Sequence, residues 1–292
     1  MLEKLRPASK KIKAFMEKYA IIAAFLSFIL IDLLLHGVAA LLKLLPDLLA
    51  LKFLSQAILI AIPIAMVFLF GFRGAFQRKN FFHGLFCGLP YIVCYSVILA
   101  LMLVNNLSEP SATLQPWERI LYGLFSILCV GIREECIYRA TVQNIVAKKY
   151  ANSVKGVWIT AAVGAFIFGI MHAGNFFTTT TNPSAIVVQI VSAMFTGLVF
   201  GAIYLRSGNL WAAILIHTLI DTAGLVPSTF LGMTLDENLN QLSWSWTKVA
   251  IWAIEIGITA FLLRPSKCKQ VYENLCFAKK PKEEAATEEP QA

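Results

Sequence analysis

WERILYGLFSILCVGIREECIYRATVQNIVA, residues 117–147, is long enough to cross a bilayer and is largely apolar toward both ends. At its middle, however, Arg133, Glu134, Glu135 and Arg139 place four ionisable groups within seven residues. A charged residue at the centre of a membrane helix costs about 2.5–3.5 kcal/mol on insertion scales, so such a cluster persists only with partners or water to compensate it. That makes it a candidate functional site. The alternative is a helix end at the membrane surface, where long side chains reach water. Against that stands ATVQNIVA, residues 140–147, which continues for about two more turns before Lys148 and Lys149.

The surrounding chain has the composition of a membrane protein. Of its 292 residues 58% are hydrophobic and 14% charged, and the mean hydropathy is +0.69, outside the soluble range. Apolar windows occur at 19–41, 50–72, 81–104, 117–147, 157–176, 184–205, 209–226 and 246–263. The expected fold is therefore all-α and polytopic, with about eight transmembrane helices. Pro46 breaks the run after the first window and leaves room for a short interfacial helix. Three parts are expected: residues 1–112 hold a basic leader and three helices, 113–265 a catalytic core, and 266–292 a polar tail. The end of that tail, KKPKEEAATEEPQA, is charged, lacks aromatics and is expected to be disordered.

Placing the N-terminus in the cytoplasm puts Lys4, Arg6, Lys10, Lys11, Lys13, Lys18, Arg73, Arg78, Lys79, Lys148, Lys149, Lys155 and Arg206 on one side. The other side receives only Lys43, Lys52, Arg119 and Lys248. This asymmetry predicts both termini in the cytoplasm. The net charge of +8 follows the same loops rather than a basic stripe interleaved with aromatics, so nucleic acid is not an expected partner. Six cysteines without CxxC spacing indicate neither a disulfide framework nor a zinc knuckle. No phosphate-binding or dinucleotide motif is present.

Within the charged stretch, Glu135 and Arg139 stand one turn apart with the acid first, the favourable order for an ion pair. Glu134 points about 100° away and is the carboxylate left to take a proton. Two further windows carry intramembrane histidines. FGIMHAGN places Phe168 and His172 four apart, and IHTLIDT does the same for His217 and Asp221. A carboxylate and two imidazoles on three helices suit water activation with stabilisation of an oxyanion. They also suit a zinc site made of Glu134, His172 and His217, although no HExxH supports it. Asp32 and His36 form another acid and histidine pair, which fits a locally paired polar spot or a helix–helix contact better than a second proton-handling element. Gln189 and Glu255 fit interhelical hydrogen bonding, and Gly197 and Gly201 of GLVFG form a small-residue packing face.

Taken together, EECIYR at Glu134 to Arg139, FGIMH at Phe168 to His172 and HTLID at His217 to Asp221 resemble the EExxxR, FxxxH and HxxxN/D motifs of one family. It is the CAAX protease and bacteriocin-processing family, which includes type II CAAX prenyl endopeptidases and lysostaphin-resistance-like proteins. The resemblance implies a multi-helix intramembrane endopeptidase in a bacterial plasma membrane, acting on a peptide or membrane-protein substrate. By the family's assignment Glu134 and His172 activate water, while His217 and Asp221 stabilise the oxyanion. Glu135, Arg139 and Phe168 support them, and zinc is an optional cofactor. Some members have Asn where this chain has Asp221. An ionised aspartate would repel an oxyanion, so Asp221 must be protonated, orient His217 or serve a metal. The competing expectations are a catalytically silent immunity or scaffold relative and a proton-coupled transporter, which also uses buried acids and histidines.

Overall fold

The structure, a computed structural model, describes residues 11–12, 14–110 and 112–275. Among them every regular element is helical. The two ends that the sequence marks as basic leader and charged tail lie mostly outside the described residues.

Five helical segments are long and apolar enough to cross a membrane: α1 (Ala20–Leu42), α2 (Leu49–Leu69), α4 (Leu89–Leu107), the segment Val154–Thr178, which ends in the short α8 (Asn175–Thr178), and α9 (Pro183–Ser207). A sixth forms if α13 (Trp246–Leu262) and the helix after it, α14 (Pro265–Asn274), are taken as one path bent by 69°. The remaining windows explain why about eight were expected. Window 81–104 is divided at Gly88 into α3 (Phe81–Cys87) and α4. Window 209–226 is the 15-residue helix α10 (Leu210–Gly224). Window 117–147 is helical throughout but carries the charged cluster.

That charged rod is the centre of the molecule. Helix α5 (Trp117–Glu135) runs into a π-helical stretch, Cys136–Gln143, and on into α6 (Asn144–Tyr150) without a break. Residues 134–147 are all buried, so the cluster lies in mid-helix, enclosed by protein, and not at an interfacial end. The π stretch is wound i→i+5, and the Thr141 hydroxyl donates to the Cys136 carbonyl five residues back (3.0 Å). Around the rod pack α1, α2, α7 (Val154–Met171) and α10, with α9 lying along α7. The α7–α9 contact is close because Gly169 faces Met194 and the Ile190 carbonyl, and Gly197 faces Phe168 and Ala165. The small-residue face of α9 thus admits the Phe168 ring.

One end of the bundle gathers the basic segments: Lys149 donates to the Lys18 carbonyl, Asn80 to the Ser207 carbonyl and Asn274 to the Arg206 carbonyl. Helix α14 packs against the core: its Cys268 and Val271, and Leu275 just past its end, are buried. The other end is closed by α11 (Val226–Leu231) and α12 (Leu235–Asn240). There Asp236 of α12 accepts from the Thr180 backbone N–H at 2.9 Å and from the Thr180 hydroxyl.

Candidate active site

Three polar stretches come together halfway along the rod. Glu135, fully buried, has one carboxylate oxygen 3.2 Å from Arg139 Nε and the other 2.9 Å from His217 Nδ1 on α10. The ion pair expected from spacing is present, but Glu135 also reaches a second helix, a contact that one-helix geometry does not reveal. A carboxylate oxygen only accepts here, so Nδ1 carries the proton and His217 is held in one orientation. The other ring nitrogen, Nε2, lies 3.6 Å from Glu134 Oε2 and 3.4 Å from Asp221 Oδ2, distances of ion-pair contact rather than of short hydrogen bonds.

Aromatic rings wall this chain of charges. The Arg139 guanidinium carbon lies 4.8 Å from the centre of the Phe168 ring and 5.5 Å from that of Phe200, within cation–π range. The same Phe200 ring stacks on His217 at 4.8 Å. Phe200 was not legible as a site residue among 21 phenylalanines; its one signal is its place between the two glycines of GLVFG.

His172 sits apart from His217. Residues His172–Gly174 form a 3₁₀ turn that continues α7, and the His172 Nδ1–H donates to the Phe168 carbonyl at 3.1 Å. In the neutral ring this leaves Nε2 as an acceptor. The Phe168 ring lies 5.5 Å from the His172 ring and 5.9 Å from the His217 ring, roughly perpendicular to both. It stands beside both imidazoles.

His172 and Glu134 line one cavity of about 360 Å³. Arg133 also lines it, together with Asp32 and His36 of α1. Those two residues were expected to be a separate polar spot; the fold brings them to the same space as the core carboxylate.

Among the described residues no three His, Cys, Asp or Glu side chains gather closely enough to hold a metal ion. The zinc set expected from Glu134, His172 and His217 is therefore not assembled. His217 is engaged by Glu135, and His172 is anchored to its own backbone beside Phe168.

Residues 115–223 match the Rce1-like family, described as type II CAAX prenyl endopeptidase Rce1-like. Over this segment the chain is similar to that family. It begins just before α5, ends near the close of α10 and contains every one of the three motifs. Helices α1 and α2 fall outside it, although α1 supplies part of the cavity wall. No curated protein and no solved structure matches the chain.

Proposed function

We propose that this protein is an intramembrane endopeptidase that hydrolyses a peptide bond of a membrane-associated protein or peptide. The observation that carries the reading is the pairing of Glu134 with His172 in one cavity of about 360 Å³, backed by the chain His217, Glu135, Arg139. The Rce1-like match over the same helices supports it. Glu134, with His172 Nε2 beside the same space, takes the proton of a water as its oxygen attacks the substrate carbonyl. Protonation neutralises Glu134, so the Nε2–H of protonated His217 loses one carboxylate partner and turns to the developing oxyanion. Asp221 orients His217, and Glu135 with Arg139 fixes the imidazole from behind.

In the bilayer we place the basic end of the bundle, with both chain termini, on the cytoplasmic side of a bacterial plasma membrane. Eight helical passages are then counted: the rod through α5 and α6 and the short α10 cross within the protein, shielded by the apolar helices. Residues 113–265 form the catalytic core, and the partners are the bilayer and the substrate peptide.

The test is cleavage of a peptide library by purified protein in liposomes, comparing wild type with Glu134→Gln, His172→Gln and His217→Gln. Each substitution is expected to lower kcat/KM by about 10²-fold or more, the usual worth of a positioned acid or base. Turnover by Glu134→Gln at the wild-type rate, or no cleavage by wild type, would refute the assignment.

A further inference from the structure

The hydrolysis just described handles the proton of the attacking water and leaves open the proton required by the departing nitrogen. An amine leaves a tetrahedral carbon readily only when its nitrogen gains a proton as the C–N bond breaks. The cavity contains a second imidazole suited to that step, and it comes from outside the Rce1-like segment.

His36 and Asp32 stand one turn apart on α1. The His36 Nδ1–H donates to the Asp32 backbone carbonyl at 2.9 Å and lies 3.3 Å from the Asp32 carboxylate. Because a carbonyl oxygen only accepts, Nδ1 carries the proton and Nε2 is the nitrogen left for other work. The two acid–histidine elements of the cavity differ in how far the protein covers them. The Glu134 side chain is 11% exposed, whereas that of His36 is 70% exposed. A group that gives up a proton in each turnover must regain one, and an imidazole that lines the cavity regains it from the water the cavity admits. Besides Asp32, the charged or titratable groups lining the cavity are Arg133, Glu134 and His172.

We infer that His36, held by Asp32, is the proton donor to the leaving amine, so that α1 completes a site whose water-activating half lies on α5 and α7. This rests on the endopeptidase reading. In the first step the water oxygen bonds to the carbonyl carbon and its proton passes to Glu134. In the second step the C–N bond breaks, its electron pair goes to nitrogen, and nitrogen takes the Nε2 proton of protonated His36. Glu134 then releases its proton to solvent, His36 regains one, and a single water is consumed. Asp32 is a positioning residue acting through His36.

The experiment uses the full chain in liposomes, a peptide that wild type cleaves, and the same peptide with a thioester at the scissile bond. A thiolate leaves without a proton, so the thioester bypasses the proposed donor. His36→Gln is expected to lower kcat for the amide by about 10²-fold or more, with KM and the thioester rate within about threefold of wild type. Asp32→Asn should show the same amide-selective pattern to a smaller degree. Equal losses on both substrates would mean a structural role and overturn the inference, as would an unchanged amide rate. Glu134→Gln separates the two failures. If it abolishes both reactions while His36→Gln changes neither, only the His36 assignment falls. If wild type cleaves neither substrate, the endopeptidase reading falls and takes this one with it.

Discussion

Consider removing one charge from the buried pair Glu135 and Arg139. Both side chains are fully buried, and Nε and Oε2 are 3.2 Å apart. At an effective dielectric constant of about 20 their attraction is about 5 kcal/mol. Glu135→Gln keeps an oxygen for His217 Nδ1 and nearly the same volume, so it isolates the charge. It leaves a guanidinium enclosed by Phe168 and Phe200 without its counter-ion. Breaking a buried pair in this way costs about 3–5 kcal/mol. At about 2–4 °C per kcal/mol, the melting temperature should fall by about 6–20 °C. Arg139→Met should cost a similar amount, since it leaves the carboxylate without its cation. The double variant buries no orphan charge and should be no less stable than either single one. The assay is thermal unfolding of the detergent-solubilised protein across the full mutant cycle. Single losses below about 1 kcal/mol, or a double variant whose loss equals the sum of the two, would refute the reasoning.

Four further outcomes follow from packing and hydrogen bonding. Gly169→Ala sets a methyl 2.2 Å from Met194 Cγ and 2.8 Å from the Ile190 carbonyl oxygen; because backbone yields little, it should cost about 1–3 kcal/mol. Gly37→Ala, with nothing within 4 Å, should be neutral or stabilising by up to about 1 kcal/mol in the same melting assay. Glu255, buried on α13, accepts from Tyr91 and from Thr196 (2.9 Å). Tyr91→Phe removes one donor and should lower stability by about 1–3 kcal/mol, whereas an unchanged melting point would show that the bond carries nothing. Hydrogen bonds from Thr180 hold the Asp236 carboxyl below the usual aspartate range. A depressed value means that the tether operates above the ordinary aspartate pKa of about 3.9 and is lost as pH falls through the folded value. The melting-point gap between wild type and Asp236→Asn should therefore narrow on acidification below about pH 4. A gap that stays constant or widens contradicts that sign.

What could be read from sequence were relations along one helix. Glu135 with Arg139 and His217 with Asp221 are i, i+4 pairs, and both meet in space. The bond from His217 to Glu135 joins residues 82 apart in the chain and depends on how α10 lies against the rod, which spacing does not encode. The same holds for Phe200 over Arg139, and for Asp32 and His36 reaching the cavity of Glu134. Helical character and membrane-like composition were legible because they are properties of windows. The number of apolar crossings was not, because hydropathy cannot tell a helix exposed to lipid from one such as α5 that is wrapped by its neighbours. Helix α14 escaped notice for a related reason. Its inward residues Cys268 and Val271, with Leu275 just past its end, recur every three or four positions, but Lys267, Lys269 and Glu273 around them give the stretch the look of a tail.

The π stretch at Cys136–Gln143 has a consequence for the angular phase of this rod. Upstream of it lie the carboxylates; within and after it lie the moorings to α9, where Gln143 Nε2 donates to the Gly201 carbonyl (3.1 Å) and Asn144 Nδ2 to the Tyr204 hydroxyl (2.9 Å). Rewinding the stretch as ordinary α-helix with every residue kept would turn everything downstream by about 100° for each surplus residue that the wider turn absorbs. Glu134 would keep its aim while the anchors swung away. The rod thus carries two angular registers, joined by a surplus residue that sets the phase between the reacting groups and their support.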